Sequence, residues 1–198
     1  TVSWPAPIRF EEAGLFSIGY GSDVVVPVTV EAKDPARPVE LDLSIAYAVC
    51  EKICIPADGK VSLLLEAPAL STPVAQRIAG ARDLVPELAE AGAASPPGIV
   101  AVAAAGDGQA LLVDAAVPAG STPDLFVEGP EGWLFGAPAS ASPADGQGPD
   151  GTVRWRVPVL SKPDKSAALD GLAVVRPLVA GDAAVEVPAK ASPAGAPG

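Results

Sequence analysis

The sequence predicts an all-β protein built from two compact modules joined by a short helix and an Ala/Pro-rich linker. Three observations carry this. Apolar residues alternate with small or polar ones from Leu41 to Val49, the period of a half-buried strand. The 23 prolines and 20 glycines among 198 residues leave little room for long helices. Hydrophobic residues make up 49% of the chain but aromatics only 5%, so the apolar mass is mostly Ala, Val and Leu, which suits thin cores between short strands.

In the first module, the β-branched run Val24-Val25-Val26-Pro27-Val28-Thr29-Val30 reads as a strand, and Pro27 makes it an edge strand or a bulged one. The strand Leu41 to Val49 points its odd positions at a core, so Cys50 falls on the opposite face as the strand runs out. Beyond Cys54, Asp58-Gly59 is a turn signal, and Val61, Leu63 and Leu65 resume the alternation in a returning strand. The two cysteines are thereby expected in an irregular hairpin connection within a small antiparallel sheet.

Ser71-Thr72-Pro73 has the chemistry of a helix start, and Val74, Ile78, Ala81 and Val85 follow at helical spacing up to Pro86. Residues 87–98 are rich in Ala, Gly, Ser and Pro, the composition of a linker. Short strands are then expected near residues 99–103, 110–117, 125–128, 133–135, 152–160, 172–175 and 184–187. About seven of them with turn residues between fit an immunoglobulin-like sandwich. Residues 137–151 read as a long polar loop. The resulting division is a first module over residues 1–70, helix and linker over 71–98, a second module over 99–189 and a disordered tail over 190–198.

The formal net charge of −11 disfavours nucleic acid or an anionic membrane surface as partner, since both need a basic footprint. Mean hydropathy is +0.34, yet no uninterrupted apolar stretch approaches the roughly 18 to 20 residues of a spanning helix. The chain begins at Thr1 with neither an initiator methionine nor a signal peptide, and is expected to be an excised or processed fragment.

Cys50 and Cys54 are the chain's two cysteines. A bridge between them closes a very short loop and removes little unfolded-state entropy, so the pair is better suited to switching than to stapling. Reversible exchange needs one exposed cysteine and a second close enough to resolve the mixed disulfide, and this spacing allows both. Lys52 favours a thiolate and Glu51 opposes it, and no helix start precedes either cysteine. Two other readings stand beside this one: an inert local bridge, or two unpaired thiols. A zinc or copper site is disfavoured because the chain has no His and no Met, and two cysteines leave a tetrahedral site half filled. No His also excludes the usual Ser or Cys triads. Trp4-Pro5-Ala6-Pro7 is expected to be an extended edge, and Trp133, Phe135 and Trp155 core aromatics at strand positions.

The run Tyr47-Ala48-Val49-Cys50-Glu51-Lys52-Ile53-Cys54-Ile55-Pro56, preceded by Trp4-Pro5-Ala6-Pro7-Ile8-Arg9 and by Gly19-Tyr20-Gly21 leading into Val25-Val26-Pro27-Val28, resembles the periplasmic amino-terminal region of the DsbD family. Its ScsB branch, the suppressor-of-copper-sensitivity membrane reductases, is the nearer likeness. The resemblance covers residues 1–70 and implies that the first module is immunoglobulin-like as well, giving two immunoglobulin-like β-sandwich modules. It implies a periplasmic thiol:disulfide oxidoreductase module without bound cofactor or metal. Electrons would come from a thioredoxin-like domain of the same full-length protein, and the acceptors would be periplasmic thioredoxin-like, isomerase or peroxide-reducing proteins. Contact with the membrane would come only through a transmembrane domain outside this sequence. The resemblance further implies that Cys54 forms the mixed disulfide and Cys50 resolves it. It also implies a cap loop over residues 10–20, with Phe16 as the cap and Tyr20, Glu11 and Glu12 as its neighbours. The competing expectation is a non-catalytic immunoglobulin-like adaptor whose short disulfide is structural. A copper-handling protein ranks third.

Overall fold

The computed structural model describes residues 1–12, 15–34, 36–51, 53–65 and 71–194, apart from the side chains of Glu12, Leu15 and Arg176. The fold is mostly β with one α-helix, and it divides into two units, Thr1–Val85 and Pro86–Gly198.

In the first unit, β1 (Ile8–Glu12) and β2 (Leu15–Gly19) form one antiparallel pair, and β3 (Val39–Cys50) and β4 (Cys54–Leu65) form another. The β3–β4 register puts Val39, Leu41, Leu43, Ile45, Tyr47 and Val49 opposite Leu65, Leu63, Val61, Gly59, Ala57 and Ile55. Because side chains alternate, all of these share one face and no charge falls on it, but it is not the core-facing surface that the alternation predicts, since Leu43, Ile45, Tyr47, Val49, Val61 and Leu63 are exposed. The other face carries Glu40, Asp42, Ser44, Lys60, Asp58 and the two cysteines.

The Asp58-Gly59 turn expected from the sequence is not there: both residues lie inside β4, opposite Ala46 and Ile45. A Cβ on Gly59 would stand 3.0 Å from Ile45 Cγ2, so this glycine makes room for a large cross-strand neighbour. The chain reverses instead between the end of β3 at Cys50 and the start of β4 at Cys54. The run from Val24 to Val30 is likewise not a full strand. It touches the amino-terminal segment through a single bridge, Val2 to Val28, and through the bonds Ser3 N–H to Pro27 O and Thr29 N–H to Thr1 O. Pro27 has no N–H, which interrupts the ladder on that segment. The helix α1 (Thr72–Arg82) starts where its sequence signals place it but ends at Arg82, short of the expected Val85, and the Ser71 hydroxyl makes no capping hydrogen bond.

The second unit is the immunoglobulin-like sandwich. One sheet runs in the order β10 (Ala139–Ser140), β11 (Val153–Ser161), β7 (Ala110–Ala116), β6 (Gly98–Ala104), with β9 (Leu134–Phe135) also on β11. The other runs β5 (Glu87–Leu88), β13 (Ala183–Lys190), β12 (Ala173–Ala180), β8 (Pro123–Leu125). Ile99, Leu111, Val113 and Val157 from the first sheet meet Leu125, Leu178 and Val187 from the second, all fully buried, with Trp155 beside them. These are the inward positions of alternating strands, so the aliphatic composition becomes the two inner faces of one core.

Two stretches read from composition as unstructured are ordered by backbone bonds. Within the expected linker, Glu87 and Leu88 run parallel to β13, and the Ala89 N–H donates to Glu186 O at 2.9 Å. In the expected tail, the Ser192 N–H and hydroxyl both donate to Val102 O at 2.9 Å, and Ala191 is buried. An edge backbone satisfies the hydrogen bonds of a segment whose side chains give no periodic signal.

A charged network holds the polar loop before β11. Arg154 donates through Nε and Nη2 to both carboxylate oxygens of the buried Asp114, at 2.6 and 2.7 Å, and through Nη1 to Asp145 O at 3.0 Å. Arg156 pairs with Asp145 and Asp107. Burial raises the Asp145 carboxyl, but hydrogen bonds from Ser142 and Arg156 outweigh it and hold the group below the usual carboxylate range. Asp107 is held low as well, first by the Gln109 N–H and then by Arg156. A depressed folded value means that the unfolded chain binds these protons more readily. The stabilisation is therefore fully present above the unfolded value, about pH 4, and is lost as pH falls through the folded values. Thermal melts are expected to be level near neutrality and to drop on acidification below about pH 4, and a melting temperature that rises on that acidification would contradict this.

Candidate functional site

Cys50 and Cys54 are the last rung of the β3–β4 ladder and are joined by a disulfide, with Cα atoms 4.1 Å apart. That separation is close to the approximately 4.5 Å of a non-hydrogen-bonded cross-strand pair. Beyond the rung the Glu51 N–H points to Ile53 O at 3.4 Å, and position 52 lies outside the described residues. The sequence placed the pair in an irregular connection. The structure makes it part of the ladder, because alternation continues from Leu65 back to Ile55 without a break.

Strand parity sets the surroundings of the sulfurs. Their face continues along the hairpin as Ala48 and Pro56, then Ala46 and Asp58, then Ser44 and Lys60, then Asp42 and Ser62. The Ser62 hydroxyl donates to Asp42 at 2.5 Å. Val49 and Ile55 point to the opposite face, as the odd-position rule requires. Cys54 is exposed while Cys50 is half-buried. Cys54 is thus the more exposed residue of the pair.

The remaining expected site residues lie in and after the first antiparallel pair. Phe16 and Glu11 are cross-strand partners in β1–β2, and Phe16 is 64% exposed, an open position. The Glu12 side chain lies outside the described residues. The Tyr20 hydroxyl donates to Pro5 O at 3.0 Å, and burial raises its phenol. Tyr20 therefore fastens the Trp4-Pro5 segment, which is further held by the Ala6 N–H bond to Leu84 O at 2.8 Å.

Among the described residues, no group of three or more Cys, Asp or Glu is placed to hold a metal ion. Among them, no helix is long and apolar enough to cross a membrane. In the second unit Trp133 and Phe135 stack at 6.1 Å, with Lys162 Nζ 5.8 Å from the Trp133 ring, and both rings pack against the sandwich core.

Comparison with known proteins follows the same division of the chain. Residues 1–66 match the family model described as thiol:disulfide interchange protein DsbD, N-terminal, and residues 84–194 match a domain of unknown function, DUF8393. The crystal structure of the N-terminal periplasmic domain of ScsB from Proteus mirabilis superposes with a TM-score of 0.72 at 22% identity, over 97% of this chain and 72% of that one. At that identity the likeness speaks for the fold. No curated protein matches the chain. The cysteine hairpin lies inside the first match and the sandwich inside the second, so residues 1–66 are similar to the DsbD N-terminal region, and through residues 84–194 the chain belongs to the DUF8393 family.

Proposed function

We propose that the chain is a periplasmic thiol-disulfide exchange module that passes two electrons through Cys50 and Cys54. The observation that carries this reading is the placement of the disulfide: an exposed Cys54 bonded to a half-buried Cys50 at the turn end of a hairpin. The match of residues 1–66 to the DsbD N-terminal family model supports it, and so does the periplasmic origin stated for the ScsB domain of the same fold.

The step balances without a cofactor. A donor thiolate attacks Cys54 Sγ, the Cys50–Cys54 bond breaks, and Cys50 leaves as a thiolate. The donor's second thiolate then attacks its own sulfur in the mixed disulfide and releases Cys54. The donor dithiol is oxidised and the module holds both electrons as a dithiol. The same chemistry in reverse reduces an acceptor disulfide: Cys54 attacks, and Cys50 resolves. In this reading the donor is a thioredoxin-like domain of the full-length protein, which is charged through a transmembrane domain. The acceptors are periplasmic thioredoxin-like, isomerase or peroxidase proteins. The test is the pair of variants Cys54→Ser and Cys50→Ser, assayed for mixed-disulfide formation with a thioredoxin-fold protein.

A further inference from the structure

We infer that Ile53 is the specificity-determining residue of the hairpin end, seating in an apolar groove beside the attacking cysteine of a partner protein dithiol. This deepens the redox reading above and rests on it. Thiol-disulfide exchange requires the incoming sulfur to approach along the line of the bond that breaks, from the side away from the leaving sulfur. Cys50 belongs to β3 and Cys54 to β4, so the leaving sulfur lies on the β3 side of Cys54 Sγ. A partner attacking Cys54 therefore comes over the outer edge of β4. Among the described residues that strand pairs with β3 alone, so this edge is open to an extended chain of the partner.

The residue preceding Cys54 is Ile53, 71% exposed. It lies past the last rung, in the connection between β3 and β4. A large aliphatic side chain next to the attacked sulfur must be covered by any protein that places its own sulfur in line. An apolar groove gains from that coverage and a polar one does not. A small thiol reaches Cys54 without covering Ile53. The chemistry selects a partner with a groove for an extended apolar segment alongside its attacking cysteine, and it separates protein dithiols from small ones.

The experiment measures second-order rate constants for reduction of the Cys50–Cys54 disulfide by reduced thioredoxin and, in parallel, by dithiothreitol. The variants are Ile53→Asp, Ile53→Ser and Ile53→Leu in the full chain. Ile53→Asp is expected to slow reduction by thioredoxin about tenfold or more, Ile53→Ser to slow it less, and Ile53→Leu to keep the original rate. With dithiothreitol all three should stay within about twofold of the unsubstituted protein. Thioredoxin rates that are unchanged in Ile53→Asp and Ile53→Ser, or a parallel loss with both reductants, would overturn the role of Ile53. If the unsubstituted disulfide resists both reductants, it is the redox reading itself that fails.

Discussion

Asp114→Ala is expected to destabilise the second unit by about 3 kcal/mol, because it leaves the Arg154 guanidinium at a partly buried position without its counter-charge. Asp114 is 3% exposed on β7 and accepts both bonds of a bidentate pair from Arg154 on β11. Hydrogen bonding to Asp114 raises the Arg154 pKa, so the guanidinium stays charged in the folded protein. Removing the carboxylate strands that charge, since the remaining Arg154 bond goes to the carbonyl of Asp145. The loop is fitted closely to this pair: a Cβ on Gly148 would lie 2.5 Å from Asp114 Oδ1. For a domain of this size the loss corresponds to a fall in melting temperature of about 10 °C or more, readable by calorimetry. An Asp114→Ala protein that melts within about 2 °C of the original would show that the pair contributes little.

The second large effect is on exchange. Cys54→Ser is expected to abolish mixed-disulfide formation with a thioredoxin-fold protein, whereas Cys50→Ser is expected to trap the mixed disulfide because nothing remains to resolve it. The asymmetry follows from the exposed Cys54 and the half-buried Cys50. Gel analysis after alkylation separates the two outcomes. Trapping by Cys54→Ser instead of Cys50→Ser would reverse the assignment of roles, and no adduct with either variant would count against exchange altogether.

Much of this was legible in the sequence because strand parity is a strong local rule. The odd positions from Leu41 to Val49 sit on one apolar face and Cys50 on the other, and the main strands of the sandwich fall close to the periodic runs that announce them. The misreadings share a cause, which is that pairing partners are not local. Asp58-Gly59 carries turn chemistry, yet Gly59 answers Ile45 across the hairpin, and Glu87, Leu88 and Ser192 gain order from strands far away in sequence. The charged network escaped notice for the same reason. Arg154 and Arg156 stand at alternate positions of one strand, which was the available signal, while Asp107, Asp114 and Asp145 reach them from a turn, a second strand and a loop. At the candidate site the cysteines were recognisable from their spacing. The protrusion of Ile53 depended on where the ladder ends, and the turn signal at Asp58-Gly59 had placed that end elsewhere.

The central claim is that the Cys50–Cys54 disulfide is a working redox couple and not a staple. Its equilibrium reduction potential, titrated against a dithiothreitol or glutathione buffer and read by thiol alkylation, tests this most directly. The account predicts a value near or above that of thioredoxin, about −270 mV, so that a thioredoxin-like donor can recharge the pair. A value well below about −300 mV would contradict it and would make the bridge a structural element of a non-catalytic adaptor.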